Sequence, residues 1–373
     1  MCPMCWLTGW LTCWATWLGL GGLVAIIGRV AAAIVVRPRP DPPHGGGWPE
    51  AVIENDHLRC VFLPGKGGEM ISLLDRRTGH ELLGRLRPTP PDDGSHALTT
   101  PGATEAMFNR WYAGGWQELL PNGDAPCEVD GIRHSFHGES WGRPWKVVSR
   151  SATSLAMQVD LAWPPLRLER TVSLDDAEAG LVIEERLTNT GSATARILWG
   201  HHPVFGGPLL GPGARIIAPA GSRLETVPCD GTSRLAATGG LEWPTGRGVS
   251  GQDVDVSLVQ PREQRSHDLC LLTGFREGFV GLENPALGLR LMLEFDPTLF
   301  RWLWIWQLYG GGEAEPFAGG YLVGLEPWTG PPQLSRGIAA GHALELEPGA
   351  TQETILRLQV TLFKTRAGRG CCG

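Results

Sequence analysis

The chain has 373 residues, a formal net charge of −7 and a hydrophobic content of 42%. This composition excludes an intrinsically disordered chain and is typical of a globular protein with a substantial core. The sequence carries no basic stripe interleaved with aromatic residues, which argues against nucleic acid as a partner and favours a neutral small molecule.

The N-terminal segment 1–36 differs in composition from the rest of the chain. Residues 4–36 are apolar apart from Arg29, and this length could span a bilayer. Three interpretations of this segment stay open: a signal-anchor helix, a cleaved export signal, or translated sequence upstream of the true start. As an anchor, the segment would leave Arg37 and Arg39 on the cytoplasmic side. We therefore predict a cytoplasmic protein, with a membrane as partner only if residues 4–36 are a real anchor.

The rest of the chain divides by composition into a linker, one domain and a tail. Residues 37–49 are rich in proline and glycine, which is typical of a linker, and residues 366–373 read as a frayed end. No linker interrupts residues 50–365. The nine cysteines are odd in number and show no paired zinc spacing, which indicates a reduced compartment.

Short apolar runs separated by turn residues predict many β-strands. The first runs are 51–54, 58–63 and 70–74, and the clearest hairpin alternates over 166–174 and 181–187 around a turn at 175–180. The same alternation returns at 356–362. After the N-terminal segment no amphipathic helix exceeds about three turns. The pattern predicts an all-β protein, a large antiparallel β-sandwich.

Four stretches combine polar side chains with aromatic ones, namely 109–122, 135–141, 199–205 and 324–329. The third holds His201 and His202 near a predicted strand end. A histidine that faces a pocket can transfer a proton, because it titrates near neutral pH. Adjacent strand residues point to opposite faces, so these two histidines cannot hold one metal ion while the strand continues. We therefore predict no catalytic metal.

The strand-like run 300–307 alternates between tryptophan and other residues. Its period places Trp302, Trp304 and Trp306 on one face, and Gln307 on the other face with Arg301. We predict that Trp302 and Trp304 form an aromatic core ladder. Trp306 and Gln307 lie nearest the glycine-rich turn 310–312 and are predicted to line a pocket.

In their order and spacing these stretches resemble the aldose 1-epimerase (galactose mutarotase-like) superfamily over roughly residues 50–365. The likeness is closest to the uncharacterised bacterial branch of that superfamily. It rests on the Asn-Arg pair at 109–110, Gly-Gly-Trp-Gln-Glu at 114–118, His-Gly at 137–138, His202 before Pro203-x-Phe205, the Trp/Gln strand, and Leu-Glu-Pro-Trp-Thr at 325–329.

The resemblance implies a β-sandwich of the supersandwich type, with a sugar bound in a groove across one sheet. It implies an isomerase that interconverts sugar anomers without a cofactor, with His202 as general acid and Glu326 as general base; His201 is the alternate acid. The residues that would shape the sugar site are His137, Arg110, Gln117, Asn122, Trp306 and Gln307.

One departure from the family pattern bears on the acid. The family commonly has His-x-Tyr-Phe, whereas Val204 stands here in the tyrosine's place. The support of His202 is therefore open, and so are two other functions: a non-catalytic carbohydrate-binding or sensing protein, and another sugar isomerase or lyase. The sugar and the oligomeric state also stay open. A phosphosugar would call for an arginine cluster, with Arg110, Arg133 and Arg143 as candidates.

Ring opening needs a base at the C1 hydroxyl and an acid at the ring oxygen. We expect the two groups on opposite sides of one pyranose, each titrating near the working pH.

Overall fold

β-Strands form most of the regular structure in the computed structural model, which describes residues 46–364. The predicted runs near residues 51, 58 and 70 are the first three strands. In chain order the strands are β1 (Ala51–Glu54), β2 (Leu58–Leu63), β3 (Glu69–Asp75), β4 (His80–Glu81), β5 (Trp116–Leu119), β6 (Cys127–Val129), β7 (Ile132–His134), β8 (Lys146–Arg150), β9 (Ser154–Ala162), β10 (Pro165–Leu174), β11 (Gly180–Asn189), β12 (Ala195–Ile197), β13 (Gly200–Phe205), β14 (Arg215–Ile217), β15 (Arg223–Pro228), β16 (Thr238–Glu242), β17 (Thr245–Arg247), β18 (Asp253–Asp255), β19 (Ser266–Thr273), β20 (Phe279–Asn284), β21 (Leu289–Glu294), β22 (Trp302–Tyr309), β23 (Tyr321–Trp328), β24 (Leu344–Leu346) and β25 (Thr351–Leu362).

Helices are short, as the sequence predicts. Between residues 46 and 364 the α-helices are α1 (Glu105–Trp111) and α2 (Leu334–Ala339), and short 3-10 turns lie at 140–142, 207–209 and 262–264. Thr104 caps α1, because its hydroxyl oxygen accepts the backbone N–H of Met107 at 3.3 Å. Between residues 46 and 364 no helix is long and apolar enough to cross a membrane. The predicted segments 1–36 and 366–373, and most of the predicted linker, lie outside the described residues.

Two large antiparallel sheets confirm the predicted all-β sandwich. The larger sheet has the order β1-β2-β3-β5-β13-β23-β22-β19-β15-β16, with β4 beside β3. The smaller has the order β14-β20-β21-β25-β11-β10-β9-β8. The predicted hairpin is β10 with β11, and its register runs from Leu166 opposite Asn189 to Leu174 opposite Leu181.

The central strands of the larger sheet, namely β5, β13, β22 and β23, are buried on both faces, whereas the smaller sheet buries only one face. Between the sheets, Phe205 and Ile305 of the larger sheet belong to the same apolar core as Leu168 and Leu358 of the smaller. The outer face of the larger sheet carries a second apolar cluster, which includes Trp304, under α1 and neighbouring loops. A pocket can therefore form on that outer face while the core behind it holds the strands rigid.

A cluster of ionisable side chains is buried between the sheets. Arg170 Nη1 lies 3.2 Å from a Glu118 oxygen, and His201 Nε2 lies 3.0 Å from a Glu185 oxygen. One ligand atom from each of Glu118, Glu185 and His201 lies within 4.8 Å of the others, which is close enough to surround a cation.

Hydrogen bonding in this cluster opposes metal binding. The indole N–H of Trp116 donates to Nδ1 of His201 at 3.3 Å, so Nε2 carries the ring proton and has no lone pair for a metal. Arg170 already supplies positive charge to Glu118. The geometry therefore fits a network of hydrogen bonds and ion pairs among these side chains.

This network predicts that stability falls as pH rises. Burial, and then the neighbouring Glu185, raise the pKa of Glu118 from 4.5 to about 8, and burial raises the pKa of Glu185 to about 7. The folded state favours both protonated carboxyls. Their contribution is complete below about pH 4.5 and is lost as pH rises through the folded pKa values. We expect the wild-type Tm to fall between about pH 6 and pH 9.

In the Glu118→Gln variant this slope should flatten, because the amide stays neutral throughout. Thermal melts across the pH range measure it. Glu353→Gln is the matched control, since Glu353 lies on the solvent face of β25 with 71% of its side chain exposed. Equal slopes in wild type and Glu118→Gln would contradict the prediction.

Candidate active site

Strand register brings His202 and Glu326 together. β13 pairs with β23 so that Gly200 lies opposite Trp328 and Val204 opposite Gly324, which places His202 opposite Glu326 between them. His202 Nε2 lies 3.5 Å from a Glu326 oxygen, and both side chains are buried. The two groups lie side by side, not apart by the width of a sugar ring as expected from the reaction.

Two glycines make room for the Glu326 carboxylate and its neighbour. A Cβ on Gly324 would lie 2.5 Å from a Glu326 oxygen, and a Cβ on Gly200 would lie 2.1 Å from the Trp328 ring. Trp328 therefore lies over Gly200, and its indole N–H donates to Glu326 Oε2 at 3.2 Å. These strand glycines serve close approach and not a turn.

The pair opens into a pocket of about 270 Å³ on the outer face of the larger sheet. This volume lies just below the range of roughly 300–1,000 Å³ typical of ligand sites and suits a small ligand. Aromatic rings, whose faces suit the C–H faces of a sugar, form much of the wall. The lining residues are Glu105, Phe108, Asn109, Tyr112, Asp124, Phe136, His137, His202, Val227, Pro228, Cys229, His267, Leu269, Trp304, Trp306, Phe317 and Glu326.

Three of the predicted site residues, His137, Trp306 and Glu326, share this pocket with His202. The His137 ring centroid lies 5.7 Å from that of His202, and its Nδ1 donates to the carbonyl of Gly123 at 3.2 Å. The other ring nitrogen is thus left as an acceptor. His137 has a φ of 55°, a left-handed conformation that costs energy in a non-glycine residue and is common at functional sites.

Other predicted site residues lie away from the pocket. Arg110 is on the surface of α1, where 66% of its side chain is exposed and a guanidinium nitrogen lies 3.7 Å from Asp93. Gln307 points between the sheets, accepting from Arg234 at 2.7 Å and donating to the carbonyl of Val256 at 2.6 Å. Its neighbour Trp306 faces the pocket, so strand alternation rules out both residues lining it.

Three further predicted site residues, Asn122, Gln117 and His201, are buried outside the pocket lining. Asn122 donates to the carbonyls of Ala125 and Ser135 at 3.0 and 2.9 Å and so fixes its loop. Gln117 lies on the outer face beside His202, outside the pocket lining. His201 lies in the network between the sheets and cannot reach the pocket.

Sequence reasoning missed several pocket residues. Trp304, predicted as core, is buried and also lines the pocket, where its ring stacks on Trp328 at 4.1 Å. His267 on β19 bonds through Nδ1 to Asp230 at 2.7 Å, and Trp306 donates to its Nε2 at 2.7 Å. Tyr112 meets the His202 ring edge-on with centroids 5.5 Å apart. No periodicity marks Tyr112 or Asp230, because both lie in irregular segments.

Over residues 46–364 the pocket carries acidic side chains but no basic ones apart from histidine. Within the described residues its lining contains Glu105, Asp124 and Glu326 but no arginine or lysine. The candidates Arg110, Arg133 and Arg143 for binding a sugar phosphate do not line it.

Burial dominates the titration of the central pair. It raises the pKa of Glu326 well above its usual value, with the Trp328 hydrogen bond opposing and the Asp124 charge adding to the shift. Burial also lowers the pKa of His202 to about 4. Each shift favours a neutral group, so burial favours a pair that holds one proton.

Removing the hydrogen bond from Trp328 should shift the pKa of Glu326 measurably. Trp328→Phe keeps an aromatic ring but removes the N–H that stabilises the carboxylate, so the pKa of Glu326 should rise by about one unit or more. A carbon-13 NMR titration of labelled glutamate carboxyls measures it, with Glu326→Gln identifying the resonance.

Trp304→Phe is the matched control for this titration. Its indole N–H donates to the carbonyl of Gly330 at 3.2 Å and not to Glu326, while the ring forms the other half of the stack. The control should leave the pKa of Glu326 unchanged. An equal shift in both variants would show that the stack, not the hydrogen bond, governs the carboxyl.

Solved structures share the sandwich. The Slr1438 protein from Synechocystis sp. PCC 6803 is 19% identical with a TM-score of 0.60, over 86% of this chain and 99% of that chain. A galactose mutarotase-like protein from Clostridium acetobutylicum is 14% identical with a TM-score of 0.56, over 84% and 95%. The GalM/aldose epimerase homologue from C. elegans is 13% identical with a TM-score of 0.54, over 85% and 100%. At these identities the likeness shows the fold alone, which is galactose mutarotase-like.

Family membership rests on a separate comparison. No curated protein matches the chain. The family model described as "Domain of unknown function (DUF4432)" matches residues 122–360, which is more than half of the chain and includes both His202 and Glu326. The chain therefore belongs to the DUF4432 family, and its domain has the galactose mutarotase-like fold.

Proposed function

We propose that the protein is an aldose 1-epimerase-like isomerase that interconverts the anomers of a small sugar. The observation that carries the proposal is the contact of His202 Nε2 with Glu326 at 3.5 Å inside an aromatic-lined pocket. The names of solved structures on this fold, which include a galactose mutarotase-like protein and an aldose epimerase homologue, support it.

The reaction needs two proton transfers, one at each of the two oxygens bonded to C1 of the sugar. A base removes the proton of the C1 hydroxyl while an acid protonates the ring oxygen, so the bond between C1 and the ring oxygen breaks. The aldehyde rotates and the ring closes on its other face. Both oxygens are bonded to C1, so a donor and an acceptor placed side by side can serve them together.

The one proton shared by His202 and Glu326 is enough to open the sugar ring and close it again. With His202 as acid and Glu326 as base, ring opening moves the proton from imidazole to the ring oxygen and from the C1 hydroxyl to the carboxylate. Ring closure reverses both transfers. Burial favours the neutral pair in the free pocket, whereas sugar hydroxyls that donate to Glu326 stabilise its charged form.

Further pocket groups orient the sugar. His137 offers a ring nitrogen as acceptor for a hydroxyl, because its other nitrogen donates to the Gly123 carbonyl. Trp304 and Trp306 offer ring surfaces on the sheet side, and Tyr112 and Phe317 lie nearby. A sugar phosphate fits poorly, because its charge would meet carboxylates without an arginine or lysine in the described lining.

Glu326→Gln tests the proposal directly. The amide cannot exchange a proton, so anomer exchange should slow by something like 10²–10⁴-fold with the fold intact. NMR saturation transfer on glucose, galactose and other free sugars measures the rate. Glu353→Gln makes the same chemical change at an exposed site and should keep the wild-type rate.

Equal rates in wild type and Glu326→Gln on the preferred sugar would refute the assignment of the base. A wild-type protein that binds sugar in calorimetry but exchanges no anomers would support the carbohydrate-binding alternative. A product with a changed configuration at another carbon, or an unsaturated sugar, would identify a different isomerase or a lyase.

The pH profile should be bell-shaped and unusually wide. Below about pH 4 the pair gains a second proton as His202 titrates, so kcat/KM should fall. At high pH the pair loses its last proton, and the raised pKa of Glu326 moves that loss above the ordinary carboxyl range. His137 and Tyr112 stay neutral between these limits, because burial lowers the pKa of the first and raises that of the second.

Catalysed rates, corrected for the spontaneous reaction at each pH, measure this profile. A fall in kcat/KM centred on the ordinary histidine range would contradict it.

A further inference from the structure

Gln117 lies next to His202 on the side away from Glu326. β5 pairs with β13 in a register that places Gln117 directly opposite His202. Side chains on opposed residues of an antiparallel pair have Cβ atoms about 4.5–5.5 Å apart and interact directly. Both side chains are buried on the outer face of the sheet.

A buried ion pair fixes the orientation of the Gln117 amide. Its Nε2 donates to a Glu69 oxygen at 2.8 Å, and Lys66 Nζ donates to both Glu69 oxygens at 2.6 Å. A carboxylate only accepts hydrogen bonds, so the amide cannot be turned round, and Oε1 points away from Glu69.

The anchoring pair is itself unusual. Lys66 and Glu69 are 2% and 1% exposed, and burial lowers the pKa of Lys66 while Glu69 opposes the shift. Burying an ion pair is an inefficient way to stabilise a fold, because desolvation offsets the attraction. A role in fixing the geometry of Gln117 accounts better for this buried pair.

Two buried polar atoms on the opposed residues are unmatched. Gln117 Oε1 and His202 Nδ1 each have no hydrogen-bond partner on another described residue, and they are an acceptor and a potential donor. The backbone of His202 itself also favours the protonated ring, although burial has the larger effect on its pKa. Buried polar atoms are almost always paired, either directly or through an ordered water. His202 Nε2 meanwhile faces Glu326.

We propose that Gln117 is a positioning residue that accepts the Nδ1 proton of His202, directly or through one water. This bond would leave Nε2 as the nitrogen that exchanges a proton with the sugar, a consequence that rests on the proposed function. It supplies the support for His202 that Val204 does not, and it differs from the sugar contact predicted for Gln117. The other titratable groups around the ring are Glu326, His137 and Tyr112.

Long-range proton–nitrogen NMR of the full chain with nitrogen-15 histidine tests the bond without turnover, and His202→Asn identifies the resonances. Wild-type His202 should be protonated at Nδ1 near neutral pH. In Gln117→Met, which keeps the side chain's length but not its acceptor, the ring should shift towards the Nε2-protonated tautomer. Its pKa should fall by about one to two units, the worth of a hydrogen bond to a charged group.

Gln307→Met is the matched control, because it removes a buried glutamine from the opposite face and should leave the His202 resonances unchanged. A wild-type ring protonated at Nε2, or an unchanged tautomer and pKa in Gln117→Met, would overturn the proposal. If Gln117→Met fails to fold, Gln117→Leu removes the same acceptor and is measured in its place, because Glu326 facing Nε2 also favours a proton on Nδ1.

Kinetics separate this inference from the proposed function. If the wild type exchanges anomers, Gln117→Met should lower kcat about tenfold or more, in step with the pKa shift, and leave KM unchanged. A raised KM with unchanged kcat would indicate a sugar contact instead and overturn the positioning role. A wild type without anomer exchange contradicts the proposed function, while the tautomer result still decides the role of Gln117.

Discussion

The antiparallel register of β13 with its two neighbours is the constraint on which the site depends. On the outer face it sets Gln117, His202 and Glu326 side by side across three strands. On the inner face it sets Glu118 opposite His201. A slip of one residue would exchange the two faces of β13, so the pocket and the buried network would be lost together.

Burial of the central strands of the larger sheet on both faces shifts the pKa values of the site residues. The core between the sheets packs against their inner faces, and the apolar cluster under α1 covers the outer face of the larger sheet. Desolvation then shifts the His202 and Glu326 pKa values in opposite directions, towards neutral groups. Both shifts favour a pair that holds one proton, as the proposed proton exchange with a sugar requires.

Two glycines leave space for the large side chains that this register brings together. Gly200 lets Trp328 lie across β13, and Gly324 leaves space for the Glu326 carboxylate that Trp328 contacts. The short motifs around His202 and Glu326 therefore lie on two paired strands, where glycines on one side leave space for large side chains. The spacing of these residues in the sequence does not predict this packing, because the contacts form only when the two strands pair.

The sequence by itself determined the all-β class, the hairpin of β10 and β11, and the separation of His201 from His202, because these follow from a period of two along one strand. Resemblance selected His202, Glu326 and His137, which the structure brings into one pocket. Only the tertiary structure decided that Arg110 faces solvent and that Gln307 faces the core. It also decided which other residues line the pocket, among them Tyr112, Trp304 and His267. Those outcomes depend on which distant strands and loops cover each face, and a local pattern contains no information about contacts between segments far apart in the chain.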